Sequence, residues 1–203
     1  DVMFGKAYEY ISKVDVSVLV NVLNSFTQGA IKVCEGQQYD MDFEDFKSVS
    51  LDEYMKMICL KTGALIATSL QIGCIIGKGG INDTINIYNF GENIGIAFQL
   101  QDDLLDTYSD PNKFGKRTGG DIIAKKKTFL YLKALEVSKP NERNQIIEIY
   151  NSNELHNNDK INIMIELFDK LNIKSLTEQE ILKYYNKGLS YLNNLDVDNN
   201  KKE

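Results

Sequence analysis

Only two prolines, Pro111 and Pro140, interrupt 203 residues, and nowhere does sequence alternate long enough to make a half-buried strand. With apolar residues recurring three and four apart, that shortage of helix breakers confines the chain to an all-α fold. Helices are predicted over about 2–12 and 16–39, the second carrying Val18, Val22, Phe26, Ala30 and Val33 at helical spacing. A polar connector follows at 42–49. Ser50 with Glu53 three residues on has the form of a capping box, and opens a third helix that runs to about Gly77. From Gly63 to Ile76 this helix is almost wholly apolar, and Gly63, Ala64, Ala67 and Gly73 suit close helix contact, so it reads as a central, buried element. A fourth helix starts near Asn82 or Asp83 and continues through Gln99 to Tyr108. Further helices are predicted over 125–137, 141–150, 158–171 and 177–194. No domain boundary or repeat is visible, so 1–203 reads as a single all-helical domain with a frayed tail from about 196.

Composition narrows the function. The chain is 43% hydrophobic, enough for one substantial core, and its net charge of −6 leaves no basic block to track nucleic acid. Cys34, Cys59 and Cys74 are widely spaced in apolar helical contexts and read as reduced thiols without zinc spacing. No stretch reaches the roughly 18–20 uncharged apolar residues of a membrane span, and no signal peptide is visible. A soluble, cytoplasmic protein with no transmembrane segment is therefore expected. The chain opens at Asp1 directly in an apolar helical pattern, which reads as a piece of something longer.

The chemistry concentrates between Phe98 and Thr128, FQLQDDLLDTYSDPNKFGKRTGGDIIAKKKT. On a helix Asp102 and Asp106 lie one turn apart and Asp103 about 100° round, with Gln99 on the same side. Like charges that close repel, and Asp is a poor helix former. A bound cation removes that cost, and carboxylate oxygens suit Mg²⁺, whose remaining positions water and substrate phosphate fill. Downstream, Gly115, Gly119 and Gly120 make a loop carrying Lys113, Lys116 and Arg117, followed by Lys125, Lys126 and Lys127. Acid for metal and base for phosphate suggest a metal-bridged diphosphate site. Spacing alone leaves this open against a solvated helix face. The apolar runs IGIAFQL before and FLYLKAL after favour acids set within core-forming helices.

The run FQLQDDLLD followed by FGKRTGGDIIAKKKT resembles the second aspartate-rich motif of the trans-type polyprenyl diphosphate synthases, the farnesyl and geranylgeranyl diphosphate synthase family. The resemblance implies an antiparallel helical bundle of the isoprenoid synthase type around a central cavity. It implies a Mg²⁺-dependent prenyltransferase that condenses isopentenyl diphosphate with an allylic diphosphate through an allylic carbocation. It also implies three Mg²⁺ in the complete enzyme and a homodimer, for which the apolar third and fourth helices are candidates. By the resemblance Asp102, Asp103 and Asp106 are metal ligands, and Lys61, Lys116 and Lys126 bind diphosphate. KTGALIATSLQIGCIIG follows the family's Lys-Thr pattern, so Lys61 and Thr62 are assigned to the allylic diphosphate and the developing carbocation, with Gln99 beside the reacting carbons. Gln37 and Gln38, in an EGQ-like segment, are assigned to the cavity wall, and Asp121 to ordering the loop. Lys125 and Lys127 read as a solvated neighbourhood, and His156 as a surface-loop residue.

The family's first aspartate-rich motif, with its arginines, has no counterpart in this chain. The resemblance is dense over about 1–136 and generic beyond. These 203 residues alone are expected to be inactive in chain elongation. Two other readings stay open: a non-catalytic subunit or inactive fragment, and a class I terpene cyclase, which Gln99 through Asp106 argue against.

Overall fold

The computed structural model describes residues 2–109, 118–198 and 202. Among them there is no strand. The helices are α1 (Val2–Ile11), α2 (Val16–Asp45), α3 (Leu51–Ile58), a π-helical turn (Cys59–Gly63), α4 (Ala64–Ile76) and α5 (Ile81–Tyr108). They continue as α6 (Gly120–Ile123), α7 (Phe129–Val137), α8 (Pro140–Asn151), α9 (Asn157–Lys170) and α10 (Ile173–Asn193). The chain divides into two compact units, one of Asp1–Gln37, Ile58–Ile96 and Tyr184–Glu203, the other of Gln38–Met57 and Ala97–Lys183. Because α2, α5 and α10 each contribute to both, neither unit is a continuous stretch of sequence.

Local chemistry sets several boundaries. The Ser50 N–H donates to Glu53 Oε2 at 2.7 Å and the Glu53 N–H to Ser50 Oγ at 3.2 Å, the predicted capping box at the start of α3. Pro140 occupies the first position of α8, where its missing N–H costs nothing. α2 runs six residues past its predicted end into the polar connector. The helix predicted from Lys125 starts only at Phe129, because Lys125 is in the left-handed region at φ 55° and Thr128 is extended. Gly119, at φ 79°, makes the turn into α6, with a neighbour, Ile161, close over the place a Cβ would take.

In the first unit, α4 and α5 approach backbone to backbone. A Cβ added at Gly95 would lie 2.6 Å from Gly63 Cα, and one at Gly91 would lie 2.8 Å from Ala67 Cα. The small residues of the apolar run do serve close contact, yet Ala64, Ala67 and Thr68 are buried while Leu65 is 59% exposed. The expectation of a wholly buried helix is thus corrected: one side packs and the other is open. A second correction concerns length. The continuous run Leu51–Ile76 is long and apolar enough to cross a membrane, with a mean hydropathy of 1.5 over 18 residues. The sequence criterion asked for a run without charge, which Lys61 interrupts, although the backbone stays helical through the lysine.

In the second unit, α7 buries Phe129, Leu130, Tyr131, Leu132 and Ala134. It packs on α8, and α9 lies against both α8 and α6. Tyr131 and Tyr150 stack with centroids 3.9 Å apart. Gly95→Ala should force the α4–α5 crossing open at fixed backbone, and a loss of about 1–3 kcal/mol is expected from urea unfolding followed by circular dichroism.

Candidate functional site

Lys61 and Thr62 do not sit on an ordinary α-helical turn. They lie in the π-helical turn, which the Ala64 N–H closes by donating to Cys59 O, five residues back. The extra residue in that turn re-aims the side chains that follow it, a distortion found frequently at functional sites. α2 presses on it, since a Cβ at Gly36 would stand 2.7 Å from Lys61 Cα, and so does α5, whose Glu92 carbonyl oxygen would lie 3.0 Å from a Cβ at Gly63. Glycine at 36 is therefore a condition of the turn's placement, which gives the EGQ-like segment a structural reason. Gln37, next to it, is exposed.

Polar side chains brace the same turn. Lys32 on α2 donates to Tyr88 Oη at 2.8 Å on α5. That hydrogen bond holds the Lys32 ammonium above its ordinary value against the opposing effect of burial. Burial pushes the Cys59 thiol up to about 12, and the charge and hydrogen bond of Glu92 add to it.

In the second unit, the acids predicted to share one cation have separate tasks. Asp103 is 4% exposed. Its Oδ2 accepts from Tyr54 Oη on α3 and, at 3.2 Å, from the backbone N–H of Phe129, the first residue of α7. Its Oδ1 accepts from Gln99 Nε2 at 3.1 Å. Thr128, the residue preceding α7, makes no side-chain cap bond, so Asp103 caps that helix from another one and meets its positive end. Asp106 is half-buried; its Oδ2 accepts the Asp121 N–H at 2.9 Å and its carbonyl the Gly119 N–H at 2.6 Å. Asp102 is exposed. Among the described residues no three His, Cys, Asp or Glu side chains form a metal-holding group. The donor set instead fits an ion such as Mg²⁺, which binds through one or two carboxylates and keeps its other positions for water and phosphate.

The lysine run also divides. Lys125 Nζ donates to Asn151 O at 2.8 Å and Asn153 Oδ1 at 2.6 Å, at the end of α8. Lys127 Nζ donates to Phe43 O in the last turn of α2. These two are anchors rather than the solvated neighbours expected. Lys126 pairs with Asp121 Oδ1 at 3.1 Å and remains exposed, and the Asp121 carboxylate holds its ammonium above the ordinary value. Tyr150 Oη donates to the Lys126 carbonyl, fixing its backbone. Gln38 is exposed and donates to Asp42 Oδ1 at 2.7 Å on its own helix. His156 is exposed just before α9, and Lys116 lies outside the described residues. Sequence reasoning missed Tyr54 and the Phe129 N–H. The phenol lies 49 residues from its partner, and its position reads as an ordinary core aromatic.

Comparison with known proteins identifies relatives of this chain. A family model described as polyprenyl synthetase matches residues 1–168. A short chain isoprenyl diphosphate synthase of Methanothermobacter thermautotrophicus is 39% identical over 155 residues, covering 76% of this chain and 48% of that protein. A geranylgeranyl diphosphate synthase of Sulfolobus acidocaldarius is 35% identical over 152 residues, covering 73% and 46%. The chain thus spans about half the length of these curated relatives. A crystal structure of a geranylgeranyl pyrophosphate synthase superposes with a TM-score of 0.93 at 36% identity, covering all of this chain and 63% of that one.

Two outcomes follow from the titrating groups. At pH 8 in native protein, iodoacetamide should modify exposed Cys34 first and leave Cys59 unmodified until denaturant is added, as read by peptide mass spectrometry. Burial raises the Asp103 carboxyl to about 6 from an ordinary 3.8. The folded chain therefore holds that proton more tightly than the unfolded one. This group favours folding most below about pH 4 and progressively less as pH rises to about 6. With chelator present, the unfolding free energy of wild type relative to Asp103→Asn should fall between pH 4 and 7 by on the order of 3 kcal/mol.

Proposed function

The chain belongs to the polyprenyl synthetase family, and on that premise we propose that its chemistry is the condensation of isopentenyl diphosphate with an allylic diphosphate. The observation that carries this reading is a division of labour within the second unit. Asp102 and Lys126 are exposed, while Asp103, Asp106, Lys125 and Lys127 are tied into the protein. An acid and a base presented by such a framework suit a diphosphate bridged by a divalent cation.

Asp102, with Asp106 beside it, would hold Mg²⁺, which when bound neutralises charge on the departing diphosphate. Lys126 presents its ammonium to the same leaving group, held in place by Asp121 and by Tyr150 behind its carbonyl. Lys61, carried by the π-turn of the first unit, is assigned to the allylic diphosphate by the family resemblance alone. Thr62, in the same turn, is assigned by the family resemblance to the developing carbocation. Gln99, whose Nε2 donates to Asp103, is assigned by the family resemblance to the neighbourhood of the reacting carbons. Binding that grows as the carbon–oxygen bond breaks lowers the barrier, and none of these groups needs to exchange a proton. The added double bond gives up a proton after attack, and the released diphosphate is the base.

Homodimer formation is part of the proposal. It is supported by large apolar side chains left open in the first unit, among them Val2, Met3, Val16 and Val20 on α1 and α2. A second reading, a subunit that binds the diphosphate without elongating it, draws on the roughly half-length match to the curated relatives.

Calorimetric titration with geranyl diphosphate in Mg²⁺ tests the binding step. Wild type should bind, Lys61→Met and Asp102→Asn should each weaken binding tenfold or more, and chelator should abolish it. Labelled isopentenyl diphosphate added with geranyl diphosphate separates the two readings: a longer product supports the condensation, and binding without product supports the subunit.

A further inference from the structure

The segment 119–129, which carries Lys126, is fastened to α5 at both ends. At its start the Gly119 and Asp121 N–H groups donate to the carbonyl and carboxylate of Asp106. At its end the Phe129 N–H donates to Asp103. The two acids are three residues apart, so one turn of one helix holds both ends of the lysine-bearing segment and carries Asp102 as well. The distance between the exposed acid and the exposed base is therefore set by how Asp103 and Asp106 are themselves held.

Asp106 is held by its own helix and by α6. Asp103 is different, because it is buried and its rotamer depends on donors from elsewhere. Gln99 occupies one oxygen from the preceding turn of α5. Tyr54 reaches the other from α3, and its side chain is 3% exposed, so no water replaces its hydroxyl cheaply. Burial and the nearby Asp103 charge both push the Tyr54 phenol well above its ordinary value, so it is the neutral donor of the pair. Without that hydroxyl, Oδ2 keeps only the longer bond to Phe129, and the α7 end of the segment loses its fixed point.

We propose that Tyr54 is a positioning residue for diphosphate binding, acting through Asp103 and the Phe129 N–H to fix Lys126 relative to Asp102. The inference rests on the diphosphate reading of the site and adds to it a residue that touches neither ligand nor metal. Its effect passes through one carboxylate to the backbone that leads into α7.

Tyr54→Phe keeps the ring and removes only the hydroxyl. In chelator, with no metal or ligand, the variant should keep wild-type helicity by circular dichroism and show faster amide exchange at Phe129. Titration with inorganic diphosphate in Mg²⁺ should then show affinity about tenfold weaker than wild type. In a Lys126→Met background the same substitution should change affinity less than twofold, since the group it positions is gone. Ile146→Val, a buried trim in α8, serves as a stability control that should lower Tm without changing affinity. Equal affinity of wild type and Tyr54→Phe, or a loss that is fully additive with Lys126→Met, would overturn the inference and leave the diphosphate reading standing. Failure of wild type to bind diphosphate in Mg²⁺ would overturn that reading and the inference with it.

Discussion

A carboxylate sealed from water is the interaction on which the second unit depends. Taking an anion out of water is costly, and a buried one persists only where donors replace its hydration. Asp103 receives three, from a phenol, an amide and the first backbone N–H of a helix, each on a different stretch of chain. Because it is the charge that recruits them, α3, α5 and α7 are fixed to one point more tightly than apolar packing alone would fix them. Directional bonds specify position where dispersion contacts mainly specify proximity.

The first unit relies on close backbone approach. Its reactive-looking turn is placed by the absence of side chains: Gly36 and Gly63 leave room for backbone at the π-turn, and Gly91 and Gly95 let α5 run against α4. The polar brace of Lys32, Tyr88, Glu92 and Cys59 then satisfies the groups that such close packing removes from water. A glycine-lined approach is unforgiving, since a single methyl meets backbone rather than a side chain that can rotate away.

In the second unit, Asp102 and Lys126 are left exposed while their neighbours are tied down. That suits the proposed diphosphate leaving group, for which fixed dipoles and charges need not reorganise when charge develops. It also accounts for the division of like-charged residues adjacent in sequence into exposed groups and anchors. Three adjacent ammonium groups all aimed at solvent would repel and wander. Tying Lys125 to the end of α8 and Lys127 to the end of α2, where carbonyls accumulate partial negative charge, leaves Lys126 alone to face outward.

Much of this was legible in the residues. Helical periodicity and scarce proline determined an all-α chain. Ser50 and Glu53 announced their capping box because that motif is local, and the ordered run from Phe98 to Thr128 carried the family. Spacing grouped Asp102, Asp103 and Asp106 on one side of a helix, while Lys61 and Lys126 were assigned only through the family resemblance. Tertiary structure alone decided which acid turned inward, which lysines became anchors, and that Lys61 sits on a π-turn. Those outcomes depend on partners 26 to 84 residues away: Tyr54 and Phe129 for Asp103, Asn151 for Lys125, Phe43 for Lys127. A period of three or four residues reports which side of a helix a residue occupies. It carries no information about which distant partner will meet it there, and that meeting fixed whether a charge faces solvent or the protein.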